Sequence, residues 1–188
     1  MCLPKTKQLE KIILKKSLLS LWILFFAWGL PTGLQAQVIP GQSRADVETH
    51  SGVILWEEEN PADASQVHQV LYAGQVQSGQ IPFLALYINE RLLMPIFFVS
   101  EDGYMKVMAR LQSNPEMTQR PDDPYMLSFI SRDGQYAYRL STALMNGKEL
   151  NEGLADRALL MRYLPASSAY AIMHVDHNVA KALGYGPS

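Results

Sequence analysis

The sequence predicts an α+β domain, in which an antiparallel β-meander sheet of about five or six strands carries two or three helices packed mainly on one face. Three observations lead to this class. Two long apolar runs are separated by a short polar turn. Aspartate–glycine pairs mark further hairpins. Capping residues and helix breakers bound several stretches with a helical period.

The first 36 residues differ from the rest of the chain. Residues 1–16 carry five lysines and one glutamate, and residues 17–34 carry no charge. The apolar part of this segment would be a helix of ~20 Å, shorter than the ~30 Å hydrocarbon core of a bilayer. Ala36 supplies a small residue for signal peptidase. Residues 1–36 are therefore predicted to be a signal peptide, and an uncleaved anchor through residues 17–34 is the alternative.

Without that segment the chain is acidic and has no cysteine. The remaining 152 residues hold 11 basic and 17 acidic side chains, a formal charge of about −6. A disulfide scaffold is excluded, because Cys2 lies in the predicted signal peptide. The negative charge excludes a nucleic-acid groove, which needs a basic surface. A domain of this length buries enough surface to be stable without a staple.

The mature chain begins with a polar stretch. Residues 37–51 lack a period, which predicts a flexible lead-in before a single α+β domain at 52–188. A β-rich run at 53–56 predicts the first strand. A helix is predicted between Asn60 as its cap and Gly74 as its end. The apolar face of this helix comprises Ala64, Val67, Val70 and Leu71.

The apolar runs are the next features. Residues 83–88 (FLALYI) and 92–99 (LLMPIFFV) do not alternate, so both faces of these two strands are expected to be covered. Pro95 indicates a bulge or an edge, because proline cannot donate to a strand ladder.

The stretch after the apolar runs is ambiguous. Asp102-Gly103 favours a hairpin and then a strand over 104–111, although Tyr104, Val107, Met108 and Leu111 also fit a helical period. Residues 112–124 hold three prolines and predict an exposed loop.

The last third of the chain continues the alternation of strands and helices. Residues 125–131 and 135–140 predict a hairpin around a turn at Asp133-Gly134. A helix is predicted over 151–164 and a strand over 168–175. Asp176 is expected to cap a final helix at 177–183, which Gly184 closes.

Two histidines at the last strand-to-helix junction are the metal candidates. His174 is expected at the end of the strand and His177 in the first turn of the helix, where imidazoles could share a zinc or copper ion. Further ligands would have to come from elsewhere, such as His50, His68 or the glutamates at 57–59. The opposing interpretation is that Asp176 caps the helix and the histidines are solvated. The glutamate run itself is interpreted as a solvated edge.

Tyrosines along the predicted second hairpin suggest a partner-binding surface. Tyr136 and Tyr138 share a strand face, and Tyr125 shares one with Leu127 and Phe129. Such rows bury ring area while the hydroxyls stay wet. The alternative is a sheet whose rings pack against the helices.

These features favour an exported, non-enzymatic protein-binding module of the bacterial cell envelope or of a secretion or assembly apparatus. The sequence has no nucleophile box and no phosphate-binding glycine loop. The partner is expected to be another envelope protein or a second copy, covering residues 83–88 or 92–99 if helices do not. We expect a periplasmic location, with an inner-membrane anchor as the alternative.

A second hypothesis is a metal-binding protein or metal-dependent hydrolase centred on His174 and His177, with zinc or copper. The leading hypothesis needs no cofactor.

Overall fold

A computed structural model describes residues 38–58, 67–76, 79–151 and 153–185. The predicted signal peptide at 1–36 lies outside these residues. Within them the chain forms one antiparallel sheet of eight strands and four α-helices, which confirms the α+β class. The expected five or six strands were too few.

The elements of the described residues alternate along the chain. In order, the strands are β1 (Ile54–Glu57), β2 (His68–Tyr72), β3 (Gln75–Val76), β4 (Gly79–Gln80), β5 (Phe83–Ile88), β6 (Arg91–Val99), β7 (Met117–Asp123), β8 (Met126–Ser131), β9 (Tyr136–Ser141) and β10 (Tyr170–Asp176). The helices are α1 (Arg44–Ser51), α2 (Glu101–Ser113), α3 (Arg157–Tyr163) and α4 (His177–Ala182), with a 3₁₀ turn at Leu144–Asn146. The sheet has the order β1-β2-β5-β6-β10-β9-β8-β7, and β3 pairs separately with β4.

The predicted apolar hairpin lies at the centre of the sheet. β5 pairs with β6 from Phe83–Phe97 to Ile88–Arg91. The turn residues Asn89 and Glu90 have φ values of 50° and 59°, the left-handed conformation that a tight hairpin turn requires. The bulge or edge predicted at Pro95 is not found there, because Pro95 pairs with Ala85 inside the sheet. The register shifts between Leu86 and Tyr87 of β5, which pair with Met94 and Leu92, so the extra residue of β6 is Leu93.

Helices cover both faces of the sheet, so the expectation of helices mainly on one face was wrong. Side chains on face A, which includes Phe83, Tyr87 and Phe97, pack under α1 and α2. Side chains on face B, which includes Leu84, Leu86 and Phe98, pack under the 3₁₀ turn, α3 and α4. The physical reason is the lack of alternation in the central strands, since each presents apolar groups to both sides.

Residues 101–113 form a helix and not the predicted strand. Its buried residues are Tyr104, Val107 and Leu111, which have the helical spacing that this stretch also fits in the sequence. The hydroxyl of Ser100 caps the helix by accepting a hydrogen bond from Gly103 N at 3.3 Å. Gly103 serves close packing here, because a Cβ at this position would lie 3.3 Å from Val99 Cβ.

The helix predicted between Asn60 and Gly74 is wrong over its second half, which forms strand β2. Residues 59–66 lie outside the described part of the chain. Val70, Leu71 and Tyr72 are all fully buried, so successive side chains enter opposite cores, as in a strand covered on both faces. A short apolar run of this kind satisfies both periods, and pairing with β5 decides the outcome.

Three further stretches differ from expectation. The predicted lead-in contains α1, which Ser43 caps and Val47 anchors in the core under face A. The predicted loop at 112–124 contains edge strand β7, where prolines are tolerated. The helix predicted from residue 151 begins only at Arg157, behind the cap Asp156.

The final helix follows its prediction. Asp176 accepts hydrogen bonds from Asn178 N at 2.9 Å and Val179 N at 3.1 Å. Gly184 follows the helix with a φ of 76°. The hairpin around Asp133-Gly134 also forms as predicted, between β8 and β9.

Removal of the Ser100 cap should weaken α2. We expect Ser100→Ala to lower the free energy of unfolding by about 1 kcal/mol, because Gly103 N loses its acceptor. Ser113→Ala, in the exposed last turn of the same helix, is the matched control and should change stability by less than ~0.5 kcal/mol. Urea unfolding followed by circular dichroism measures both. Equal losses in the two variants would contradict the assigned cap.

Candidate functional site

The register of β9 and β10 brings together three of the residues singled out in the sequence. His174 pairs with Tyr138, and Asp176 pairs with Tyr136. The His174 ring stacks on Tyr138 with ring centroids 4.7 Å apart and planes 13° apart, and the Tyr136 centroid is 6.2 Å from that of His174. We call His174, Tyr136 and Tyr138 the His174 cluster.

The other two predicted residues lie apart from this cluster. His177 is the first residue of α4 and is exposed, and its backbone N–H donates to Gln135 O at 2.9 Å. Tyr125 lies in the turn between β7 and β8, where its carbonyl accepts a hydrogen bond from Thr142 N at 2.8 Å. The tyrosines therefore do not form one continuous row.

Burial controls the chemistry of the His174 cluster. It lowers the pKa of His174 to about 4, against a smaller opposing effect of Asp176. Burial likewise raises the pKa of Tyr138 and of Tyr136, and the charge of Asp176 contributes to both. Within the described structure, His174 Nε2 is buried and has no hydrogen-bond partner. His174 is thus a neutral ring packed in an aromatic stack at neutral pH.

The metal hypothesis gains no further ligand from the fold. Among the described residues, no three His, Cys, Asp or Glu side chains lie together in a way that could hold a metal ion. Zinc or copper binding at His174 and His177 stays a prediction.

A polar network lies under α1, and the sequence does not predict it. Arg44, in the first turn of α1, places its Nε 2.7 Å from Glu48 Oε1 and its Nη1 2.9 Å from Glu57 Oε1. Glu90, from the β5–β6 turn, lies 4.0 Å from the same Nε. Burial opposes the charge of Arg44, but the hydrogen bonds to Glu48 and Glu57 outweigh it and raise its pKa. The guanidinium thus joins α1 to β1 and to the central hairpin.

Three aromatic side chains complete this Arg44 network. His68 Nε2 lies 3.2 Å from Glu57 Oε1 without the alignment of a hydrogen bond. The hydroxyls of Tyr72 and Tyr87 are 3.2 Å apart, and Tyr72 donates to Glu48 at 3.5 Å. Burial raises the pKa of Tyr72 to about 12. The tyrosines of the network are therefore uncharged, and its carboxylates outnumber its cations.

Only one ion pair of this network could be predicted from the spacing of its residues in the sequence. Arg44 and Glu48 have the i,i+4 spacing of a helical ion pair, but their helix was not predicted. Glu57 was interpreted as part of a solvated edge. In the fold its side chain is a partner of both Arg44 and His68.

The two edges of the sheet differ in how they meet solvent. β7 exposes Thr118, Gln119 and Arg120, contains Pro121, and has a register shift between Pro121 and Asp123. Charges, proline and bulges are the devices by which proteins block unwanted pairing at a sheet edge.

At the opposite side lies the β1 edge, which we define as residues 53–57. Val53 is 62% exposed and Ile54 is 39% exposed, while Leu55 and Trp56 are partly covered by the core on face B. A register shift between Ile54 and Trp56 is present, but this apolar stretch has no proline and no charge before Glu57.

Comparisons with protein families, with characterised proteins and with solved structures find no match to the chain. None of the described helices has the length and apolar character needed to cross a membrane.

The burial of His174 should make stability depend on pH. Its pKa in the folded state is about 4 and its ordinary value is 6.5, so between these pH values the unfolded chain binds the extra proton. Neutral His174 makes its full contribution to the free energy of unfolding above pH 6.5, and this contribution is lost as the pH falls to about 4. The loss amounts to about 3 kcal/mol. We expect His174→Phe to remove this component, as measured by urea unfolding across that range.

The matched control for this measurement is His50→Gln. His50 is exposed at the end of α1, so its removal should leave the pH dependence of the wild type. A pH profile of His174→Phe that coincides with the wild type would contradict the burial of a neutral ring.

Loss of the Arg44 guanidinium should destabilise the protein. In Arg44→Met, Glu48 and Glu57 face each other without their shared cation, and we expect a loss of about 1–3 kcal/mol in the free energy of unfolding. Adding Glu57→Gln to this variant should restore part of the loss, since the two residues are coupled. Arg132→Met is the control, because Arg132 is 67% exposed and lies 3.8 Å from Glu116. Similar losses for Arg44→Met and Arg132→Met would contradict the network.

Proposed function

We propose that the protein is an exported, non-enzymatic binding module that accepts an extended segment of a partner protein as an additional strand along the β1 edge. The signal peptide predicted at residues 1–36 supports export, and with it a periplasmic location. An envelope protein or a component of a secretion or assembly apparatus is the corresponding class of partner.

The exposed apolar residues of the β1 edge carry this proposal. An edge strand presents unpaired N–H and C=O groups, and an added strand can pair with them while its side chains contact those of the edge. Val53 and Ile54 would lose exposed apolar surface on such pairing, which is favourable at roughly 25 cal/mol per Å². Among the described residues β7 is likewise an outer strand of the sheet, but it is protected by polar residues and proline. The difference between the edges supports β1 as the binding edge.

The central apolar strands, residues 83–88 and 92–99, do not provide the exposed surface that a partner would need. β5 is buried throughout, because the helices of the chain itself cover face A and face B. Tyr138 is also buried, and its ring is engaged by His174. Recognition through Tyr125, Tyr136 and Tyr138 stays a prediction. Tyr125 and Tyr136 are partly buried, whereas Val53 and Ile54 are exposed.

Peptide selection tests the proposal. Random peptides of about ten residues, displayed on phage, are selected on the purified exported protein, and enriched peptides are titrated by fluorescence anisotropy. We expect Val53→Lys to weaken binding by about tenfold or more, because a lysine at an edge disfavours strand pairing. Thr118→Lys, at the exposed β7 edge, is the matched control and should bind as the wild type does. Circular dichroism checks that both variants fold.

Three outcomes would overturn the proposal. One is a selection that yields no binding peptide, and another is peptides that bind Val53→Lys as tightly as the wild type. The third is a wild-type dimer in sedimentation that Val53→Lys converts to monomer, which would assign the edge to a second copy of the chain.

A further inference from the structure

Charges near the β1 edge define the partner segment more closely, if the edge binds a strand as proposed above. The β1 edge is apolar from Val53 to Trp56 and ends at Glu57, which Glu58 follows. We call residues 53–56 the apolar half of the edge, and Glu57 with the carboxylates around Arg44 its acidic half. A partner strand that matches both halves must have basic residues at one end and apolar residues at the other.

The Arg44 network adds to the acidic half. The side chains of Glu48, Glu57 and Glu90 are between 36% and 69% exposed, whereas that of Arg44 is 20% exposed. His68 is more covered still, at 13%. The carboxylates thus face solvent while their cation lies beneath them. A cation arriving from outside would meet negative charge first.

The direction of β1 gives the order of residues in the partner. Every paired strand of the sheet is antiparallel to its neighbours, and antiparallel pairing is slightly the more stable arrangement. A strand added antiparallel to β1 passes Glu57 first and Ile54 last. We propose that the β1 edge binds an extended protein segment with lysine or arginine at its start and alternating apolar residues after it.

The charge of the edge favours such a partner over a second copy of the chain. The segment around β1 reads GVILWEEE and contains no basic residue, so it lacks the cation that the acidic half calls for. A foreign strand with basic residues satisfies both halves of the edge at once. The electrostatic part should be sensitive to salt, since exposed charges are screened within about 10 Å at 0.1 M ionic strength.

Four labelled peptides test the inference on the full exported protein. Each carries the same alternating valine and threonine stretch, with Lys-Lys at its start, Lys-Lys at its end, Gln-Gln at its start or Glu-Glu at its start. Anisotropy titrations are made at about 50 mM and about 500 mM NaCl. We expect the first peptide to bind about fivefold more tightly than the Gln-Gln peptide at low salt, and the Glu-Glu peptide to bind most weakly. High salt should reduce these differences.

Two protein variants make the outcomes distinct. Glu90→Gln, in an exposed turn, should lower the preference for Lys-Lys over Gln-Gln, and Glu116→Gln beside β7 should not. If Lys-Lys and Gln-Gln peptides bind equally while Val53→Lys abolishes both, the inference fails and the proposed function stands. If all four bind Val53→Lys as they bind the wild type, the proposed function fails as well. If Lys-Lys at the end binds best, the antiparallel orientation is wrong.

Discussion

The pairing of β5 with β6 is the interaction on which the rest of the fold depends. Both strands are apolar on both faces, so neither can lie at a surface, and covering one face alone would leave the other in water. Helices cover the hairpin on face A and on face B, and further strands pair with it on both sides. The width of the sheet and its two separate cores follow from this demand.

Arg44 and His174, the central residues of the two clusters described above, both lie at a margin of the apolar core. Arg44 lies in the first turn of α1, at the margin of face A, where carboxylates from β1 and from the central turn can reach it. His174 lies just beyond the last pair of β6 with β10, Ile96–Met173. Aromatic stacking on Tyr138 then takes the place of a hydrogen-bond partner, at the cost of a neutral ring.

Local signals predicted those elements whose geometry is decided within a few residues. The central hairpin, the hairpin around Asp133-Gly134 and the Asp176 cap all belong to this class. β2 and α2 do not, because their apolar residues satisfy a strand and a helix period equally well, and packing against β5 or β10 selects one. The two candidate clusters are even less predictable from local sequence signals. The proximity of His174 to Tyr138 depends on a register between distant strands, and the Arg44 network joins five segments of the chain.

Coverage of both faces also limits where this protein can bind another. A sheet with one bare face offers a broad surface, but here helices cover both faces, so within the described part of the chain we consider the two edges of the sheet. Of the edges, β7 has polar residues and a proline, and β1 has exposed valine and isoleucine beside a cluster of carboxylates. An exposed apolar edge normally invites aggregation, and the partner strand proposed above would cover it. In that proposal the negative charge beside the edge favours a strand that brings a cation, since an acidic strand would be repelled before its backbone could pair.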